Sequence, residues 1–383
     1  MYRAYKFRMY LTDKQKELLN KSFGCSRFIY NYYLNKIKQD KYISSIDNIK
    51  DYTNNLKYEY VFLQEVDSIL IRKTLFHLDD NLKKYYKNNF GYPKFKSKYD
   101  KHSYTTSAVY KTYYNHNYCN IELDLKNKKI KLPKLKWANV RGYRKLEKQE
   151  GRIINATISK DTNQKYYVSI LVEIPTPTKK VPTNIVGIDL GIKNLITQSD
   201  TITYENNKYI KKYEKRIKKI QRELSRKEKR SNNYKKCKEK LGILYTKLRN
   251  ARKYYIHKIT KEITDIYDVI VAEKLTTKKM IMQKELSKEI SDVTFSEILR
   301  QLEYKSKYKG KTFYQTDTYY PSSQKCSVCG NIDKRYKNLN ERVYKCNKCT
   351  NTLDRDINAS INIMLEGLKM YIKGLSMNNI VVK

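Results

Sequence analysis

The sequence predicts a multidomain α/β protein, in which a β-rich domain with a helical insertion precedes a second domain of strands, basic helices and a cysteine cluster. Three observations predict this class. The 383 residues leave room for roughly two to four domains, and the hydrophobic period changes from strand-like to helical and back along the chain. Three of the six prolines fall between Pro175 and Pro182, and we expect the main domain boundary there.

The composition indicates a polyanionic partner. The chain has 81 Lys and Arg against 39 Asp and Glu, a formal net charge of +42, and 38 tyrosines. Such a charge favours nucleic acid over a membrane surface as the partner, and it disfavours a secreted mini-protein or a typical metabolic enzyme. Tyrosines beside Lys or Arg can stack on bases, although an AT-rich genome also enriches Lys, Tyr, Asn and Ile. Without an apolar leader or an 18-residue apolar run, we expect a cytoplasmic, nucleoid-associated protein and no membrane partner.

The first domain begins with a predicted strand and a helical insertion. Residues 2–10 alternate as a strand does, and Thr12 and Gln15 have the spacing of a capping box. We expect one helix to end at Gly24 and a second to cover residues 26–39.

A further helix is predicted over residues 67–87. Its apolar residues recur at helical spacing and form one stripe: Ile71, Leu75, Leu78 and Leu82. Residues 12–90 therefore form a helical domain inserted after one strand. From Pro93 onward the period becomes that of short strands, which predicts a β-rich domain built as a barrel: residues 121–125, 128–132, 153–159 and 166–172.

The second domain contains a long basic helical region. Residues 201–262 hold 22 Lys and Arg against 6 acids, or 22 − 6 = +16. Two apolar stripes flank Ser231 and predict a helical hairpin.

Four of the seven cysteines form two close pairs, separated by sixteen residues: Cys326, Cys329, Cys346 and Cys349. Four thiolates at this spacing predict a closed tetrahedral Zn²⁺ site with a structural role, because no ligand position stays open for water. A redox-active pair would need only one Cys-x-x-Cys. The remaining three cysteines are scattered, which is typical of a reducing compartment.

Three acids stand in contexts that a core would not tolerate without a metal or a basic partner. Asp189 and Glu273 each end an apolar strand, and Asp356 lies at the start of a helix. We expect that helix to turn its apolar residues inward: Ile357, Ile361, Met364 or Leu365, and Leu368. The strand of Asp189 taken alone also fits the nucleotide-bound magnesium sites of sugar kinases and chaperone ATPases.

Two strand carboxylates and a third from a helix describe an RNase H-like active site. Such a site holds two Mg²⁺ ions about 3.5 to 4 Å apart, one activating water and the other stabilising the leaving oxygen of a phosphodiester. Carboxylate oxygens are the hard ligands that Mg²⁺ prefers. The sequence therefore predicts a phosphodiester hydrolase.

Several motifs, taken in order, resemble those of the TnpB family of RNA-guided nucleases from insertion sequences, relatives of compact type V CRISPR effectors. The similarity runs from residue 3 to about residue 365. The motifs that carry it are KFRMYLT at 6–12, GCSRFIYN at 24–31, GIDLG at 187–191, VAEKL at 271–275, SSQKCSVCG at 322–330 and DRDINA at 354–359.

The resemblance implies a RuvC (RNase H-like) nuclease domain whose acids are Asp189, Glu273 and Asp356. Asp354 is a weaker candidate for the third acid, because the family's acid stands two residues before the asparagine, here Asn358. Asp354 would then cap the helix. The implied domains are a wedge β-barrel at 1–11 and 91–182, a helical recognition domain at 12–90, the nuclease domain at 183–318 and 351–383, and the inserted four-cysteine zinc ribbon at 319–350.

The resemblance also implies the partners. A noncoding guide RNA from the element end would pair with double-stranded target DNA next to a short flanking motif, and the protein would contribute mainly shape and phosphate contacts. A monomer is expected. Two positions depart from the family pattern: Thr350 replaces a glycine after the fourth cysteine, where a positive φ would strain it, and Ser360 replaces a commoner alanine.

Other functions remain open on the sequence. An RNA-guided repressor would lack the acids, an inactive transposon passenger would have decayed, and a compact CRISPR effector would differ only in its neighbouring repeat array. A carboxylate-triad integrase would leave the zinc ribbon unexplained. A tyrosine transposase needs a His-x-His pair, and the four histidines form none: His77, His102, His116 and His257.

Overall fold

The structure is a computed structural model that describes residues 1–39, 44–88, 90–113, 116–142, 151–179, 181–275, 294–338 and 341–380. The chain divides into two compact units, Met1–Pro175 and Thr176–Lys383. None of the helices in these ranges is both long and apolar enough to span a bilayer.

The first unit combines a seven-stranded sheet, a two-stranded ribbon and a group of helices. Its strands are β1 Tyr2–Tyr10, β2 His102–Ser107, β3 Tyr110–Tyr113, β4 His116–Cys119, β5 Glu122–Asp124, β6 Lys129–Leu132, β7 Lys136–Arg141, β8 Ile153–Lys160 and β9 Tyr166–Glu173. Its helices are α1 Asp13–Gln39, α2 Ser45–Asp51, α3 Lys57–Glu59 and α4 Ser68–Asn88, with a π turn at Tyr52–Leu56 and a 3₁₀ turn at Val61–Glu65.

The seven strands lie in the order β2-β8-β9-β1-β7-β6-β5, and β3 pairs with β4. Among the described residues β2 and β5 are edge strands, so the closure of this sheet into a barrel stays a prediction. The first strand pairs with β7 and β9, and helices α1 to α4 lie between β1 and β2 in the chain. The four strands predicted in this unit after Pro93 are confirmed as β5, β6, β8 and β9.

Four strands of this unit were not predicted: β2, β3, β4 and β7. β2 illustrates the reason. Its sequence is His-Ser-Tyr-Thr-Thr-Ser, with polar residues in place of the apolar alternation that marks a half-buried strand. It pairs with β8 through a full backbone ladder, and the Thr105 and Thr157 hydroxyls lie 2.9 Å apart across that pair.

The capping box predicted at the start of α1 is confirmed. The backbone N–H of Thr12 donates to Gln15 Oε1 at 3.1 Å, and the N–H of Gln15 donates back to Thr12 Oγ1 at 3.3 Å. The predicted break at Gly24 is wrong, because α1 continues without interruption to Gln39. A mid-helix glycine costs about 1 kcal/mol, which burial of the neighbouring Phe23 and Cys25 outweighs.

The second unit is built on a five-stranded mixed sheet. Its strands are β10 Ile185–Asp189, β11 Asn194–Gln198, β12 Thr203–Glu205, β13 Val269–Ala272, β14 Thr312–Gln315, β15 Val343–Lys345 and β16 Thr352–Asp354. Its helices are α5 Tyr209–Ser225, α6 Asn232–Ile266, α7 Phe295–Tyr308 and α8 Arg355–Ile380, with a 3₁₀ turn at Lys334–Lys337.

The strand order is β12-β11-β10-β13-β14, and β15 pairs with β16. β10, β13 and β14 are parallel to one another, β11 is antiparallel to β10, and β12 is antiparallel to β11. Thus β12 occupies the first part of the region predicted as helical, and the helices begin only at Tyr209. The predicted hairpin of α5 and α6 is confirmed: Ile217, Leu244 and Leu248 pack together, and Ser231 Oγ caps α6 by accepting from the N–H of Tyr234.

The two faces of this sheet are covered by different helices. One core combines residues of β10, β11 and β13 with α6 and α7, including Ile188, Ile263 and Leu302. On the other face, Val271 of β13 packs with Ile363 of α8. Gly187 allows close approach here, because a Cβ at that position would overlap the carbonyl oxygen of Ser360.

The predicted inward face of α8 is confirmed only in part: it is wrong at Leu368 and, of the two alternatives, Met364 and not Leu365 faces inward. Leu365 and Leu368 are 37% and 40% exposed, whereas Asn358, Ser360 and Asn362 are fully buried. Ile357, Ile361 and Met364 lie half-buried. Small and polar residues occupy the buried face because α8 lies against backbone at Gly187 and donates hydrogen bonds to the segment that precedes it.

Candidate metal and nuclease site

The first two acids lie at the carboxyl ends of adjacent parallel strands. Ile188 of β10 is in register with Ala272 of β13, and Asp189 and Glu273 are the next residues along each chain segment. Since successive side chains alternate between the faces of a sheet, Asp189 points to the face of Gly187 and Glu273 to the face of Val271. This is the face that α8 covers.

The third acid is placed by the first turn of α8. Asp356 is half-buried, and its Oδ2 lies 3.8 Å from Nη1 of Arg342. An acid in the first turn of a helix is favoured by the helix dipole.

Asp354 has a different task. Its Oδ1 accepts hydrogen bonds from the N–H groups of Asp356 at 2.9 Å and Ile357 at 3.2 Å, so its carboxylate caps the helix. The capping geometry is that of an N-cap aspartate.

The electrostatics link the three acids. Burial, and then the negative charges of Glu273 and Asp356, raise the pKa of Asp189 to about 8, while the Arg355 guanidinium opposes this shift. Burial also raises the pKa of Glu273. Two neighbouring carboxylates thus disfavour a third charge at Asp189, and a bound cation would relieve that repulsion. Their oxygens are the donor set that Mg²⁺ prefers.

The four predicted cysteines come together. The Sγ atoms of Cys326 and Cys349 are 3.7 Å apart, those of Cys329 and Cys346 are 3.6 Å apart, and all four sulfurs lie within 4.8 Å of one another. Within the described ranges this is the one group of three or more His, Cys, Asp or Glu side chains gathered that tightly. The three carboxylates are more widely spaced.

Hydrogen bonds shape each cysteine pair as a knuckle. The N–H of Cys326 donates to the carbonyl of Asn331 at 2.8 Å, and the N–H of Cys346 donates to that of Asn351 at 2.9 Å. Gly330 takes the positive φ of the first knuckle, +77°. Thr350 has no positive φ, so the strain expected there is not present.

The environment favours thiolate at Cys326 but the thiol at Cys349. Burial raises the pKa of Cys326, but hydrogen bonds from the N–H groups of Cys329 and Val328 and from the Asn351 amide outweigh burial and lower it to about 6. At Cys349 the N–H of Asn351 lowers the pKa, but burial and the three neighbouring cysteines outweigh it and raise the pKa to about 12. The rings of Tyr336 and Tyr344, tilted by 35° with centroids 4.3 Å apart, form a small core beside the sulfurs. The four closely spaced sulfur donors fit a Zn²⁺ ion.

Sequence reasoning missed four residues around these sites. Arg342 faces Asp356, Arg355 acts on Asp189, and Asn358 and Asn362 bind the first knuckle. The spacing of the two asparagines, four residues apart in a helix, is the signal that could have identified a polar buried face.

The comparisons with known proteins agree with this architecture. Family profiles match residues 169–283 ("Probable transposase"), 295–363 ("Cas12f1-like, TNB domain") and 1–42 ("Helix-turn-helix domain"). A Streptomyces pristinaespiralis protein named "Putative RNA-guided DNA endonuclease" is 30% identical over 377 residues, spanning 96% of this chain and 89% of the relative. The chain belongs to the TnpB family.

Two further comparisons support the TnpB assignment. The Escherichia coli K12 protein named "Putative RNA-guided DNA endonuclease InsQ" is 27% identical, over 95% of this chain and 92% of that relative. A Cas12f1 chain, from a cryo-EM structure of the Cas12f1-sgRNA-target DNA complex, aligns with a TM-score of 0.53 at 15% identity, covering 95% of this chain and 98% of that one. This likeness is one of fold.

Proposed function

We propose that this TnpB-family protein is an RNA-guided endonuclease that cuts double-stranded DNA by Mg²⁺-dependent hydrolysis of phosphodiesters. The observation that carries the proposal is geometric: Asp189 and Glu273 follow paired positions at the ends of two parallel strands, on the face that the helix of Asp356 covers. An RNase H-like, RuvC-type nuclease needs this combination of two strand acids and one helix acid. The relatives' names support the RNA guide and the DNA target.

In this proposal Asp189, Glu273 and Asp356 hold two Mg²⁺ ions. The ions would supply an activated water and neutralise the leaving oxygen. The role of the chain is to hold the three carboxylates: β10 and β13 fix Asp189 and Glu273 through their shared ladder, and α8 brings Asp356 over the same face.

The basic surface supports the guide RNA and the DNA as partners. The hairpin of α5 and α6 buries Ile217, Leu244 and Leu248 between its helices, which leaves most of its lysines and arginines on the outside. A net charge of +42 would attract phosphates irrespective of sequence, and base pairing by the RNA would then select the target.

We also propose the domain roles implied by the family. The sheet and helices of the first unit would form the wedge domain at 1–11 and 91–182 and the recognition domain at 12–90. Support comes from β1, which pairs with strands that follow the helices in the chain. The second unit would contain the RuvC domain at 183–318 and 351–383, with the zinc ribbon at 319–350.

The function is tested by co-expressing the protein with the noncoding region downstream of its gene and sequencing the RNA that copurifies. A plasmid library carrying the matching target is then offered with Mg²⁺. We expect guided cleavage beside a fixed motif, and its loss in Asp189→Ala with RNA binding retained within a few fold. Bound RNA without cutting would indicate a repressor or an inactive passenger, and cutting by Asp189→Ala would refute the site.

The third acid is tested with a matched pair of variants. Asp356→Ala should abolish cleavage. Asp354→Ala should still cut, but should lower the stability of α8 by about 1 kcal/mol, because it removes an N-cap. Cleavage assays and thermal unfolding of both variants decide the assignment, and the reverse result would give the metal-binding role to Asp354.

A further inference from the structure

We propose that the cysteine cluster sets the position of Asp356, and that Asn358 and Asn362 are the positioning residues that connect the two. This inference rests on the proposed function for the role of Asp356. The inference concerns which contacts hold α8 in place. The proposed roles of the cysteines as zinc ligands and of the three acids as magnesium ligands do not answer that question.

The two asparagines bind the backbone on both sides of a zinc ligand. Asn358 Oδ1 accepts from the N–H of Ser327 at 3.0 Å, and its Nδ2 donates to the carbonyl of Lys325 at 2.7 Å. Asn362 Nδ2 donates to the same Lys325 carbonyl at 2.6 Å and to the carbonyl of Ser322 at 2.9 Å. Cys326 stands between Lys325 and Ser327, so α8 is tied to the first knuckle itself.

Because the two asparagines are buried, their hydrogen bonds favour one position of α8 over others. Both asparagines are fully buried, and a buried amide that loses its partners is strongly disfavoured. Residues four apart lie on the same side of a helix, so both side-chain amides hydrogen-bond to the knuckle from one face of α8. Asp356 is two residues before Asn358, about 200° around the helix, and therefore points away from the face that hydrogen-bonds to the knuckle.

A second contact holds the other side of the helix start. The N–H of Arg355 donates to the carbonyl of Arg342 at 2.8 Å. Its Nη1 donates to the carbonyls of Asn338 at 3.1 Å and Glu341 at 3.3 Å. Asp356 thus lies in the first turn of a helix that is hydrogen-bonded on two sides to the segment containing the cysteines.

Zinc would order the groups to which α8 is bound. The core of this segment is small and consists of Cys326, Tyr336 and Tyr344 with Cys346 and Cys349 packed against it. A module of this size depends on its metal for a fixed backbone. The Lys325 carbonyl and the Ser327 N–H are then held at fixed positions only when Cys326 is bound to zinc. The hydrogen bonds to these two groups set the position of α8 relative to the knuckle.

The test uses Asn358→Ala, Asn362→Ala and the double variant of the full chain, purified with its guide RNA. The matched control is Asn347→Ala, an exposed asparagine between Cys346 and Cys349 whose Oδ1 accepts from Asn331 Nδ2 at 2.6 Å. Three quantities are measured: zinc per chain, hydrogen exchange of the amides at 356–363, and the Mg²⁺ concentration for half-maximal cleavage.

We expect the double variant to keep one zinc per chain and its RNA. Its exchange at 356–363 should rise by about tenfold, and its half-maximal Mg²⁺ concentration should rise by about tenfold as well. The control should stay within about twofold of wild type on all three measures. Chelating the zinc should raise exchange at 356–363 in the wild type and add little in the double variant.

Unchanged exchange and unchanged Mg²⁺ dependence would overturn the inference. A rise in exchange that occurs only with loss of zinc would also overturn the inference. The asparagines would then stabilise the zinc-binding segment itself and would not position α8. If alanine prevents folding, Asn358→Asp keeps the acceptor for Ser327, loses the donor to Lys325, and should show the same shift in part. If the wild type does not cut at all, the proposed function fails, and the exchange measurements still decide the coupling.

Discussion

Helices α4 and α8 bury opposite kinds of residue. In α4, the apolar stripe of Ile71, Leu75, Leu78 and Leu82 is at most 1% exposed, as its period predicts. In α8, Asn358 and Asn362 are fully buried while Ile372 is 56% exposed. α4 fills a core, so burial follows hydrophobicity. α8 lies against backbone, so burial follows hydrogen-bond partners and side-chain size.

The largest expected effect contrasts one leucine from each helix. Leu75→Ala should lower the free energy of unfolding of the first unit by about 2 to 5 kcal/mol, because it leaves a cavity in a packed core. Leu368→Ala should change that of the second unit by less than about 0.5 kcal/mol, because the side chain is exposed. Hydrogen exchange of peptides from each helix at rising urea concentrations measures both. Equal costs would mean that α8 buries its apolar face in solution.

A pair of glycines gives the next effect. Gly187→Ala should destabilise the second unit by about 1 to 3 kcal/mol, because its Cβ would push Ser360 and α8 away from β10. Gly24→Ala has open space around its Cβ and should stabilise α1 by about 0.5 to 1 kcal/mol.

Thermal unfolding measures both glycine variants, and guided cleavage is assayed in parallel. Gly187→Ala should also lose cleavage, whereas Gly24→Ala should keep it. A harmless Gly187→Ala would show that α8 does not need this close approach.

The smallest effect concerns a polar contact at the rim of the first unit. Asp51 accepts hydrogen bonds from Asn55 at 3.0 Å, Lys36 at 3.1 Å and Tyr33 at 3.0 Å. Burial raises the pKa of Asp51, but these donors outweigh burial and hold it below its usual value.

Because the pKa of Asp51 is lowered on folding, its contribution is present above the unfolded value near 3.9 and is lost as the pH falls through the lower folded value. Asp51→Asn should therefore cost about 1 kcal/mol at neutral pH, and the difference from wild type should shrink toward pH 3. Urea unfolding between pH 7 and 3 measures it. A constant difference would mean that the charge contributes nothing.

Sequence patterns predicted the elements whose signal is local. The capping box of Thr12 and Gln15, the stripe of α4 and the hairpin around Ser231 all depend on neighbours within a few residues. The two cysteine pairs were predicted for the same reason, since ligand spacing is a property of the knuckle. The acids were identified by their contrast with apolar strands, and their joint role stays a proposal.

The features that the sequence did not predict depend on distant partners. Gly24 continues a helix because residues far along the chain bury its neighbours. β2 is a strand because β8 offers a complete ladder. Asn358 and Asn362 are buried because carbonyl groups of a preceding segment accept hydrogen bonds from them. The residue pattern of α8 alone does not indicate where those carbonyls lie.

The order of the elements along the chain also sets an order of synthesis. All four cysteines of the cluster precede Asp356, so a chain leaving the ribosome completes the cluster before Asp356 emerges. The knuckle that receives Asn358 and Asn362 can therefore form first, and α8 docks onto a surface that already exists. Under the roles proposed above, zinc supply during translation would decide how much of the newly made protein holds Asp356 in place beside Asp189 and Glu273.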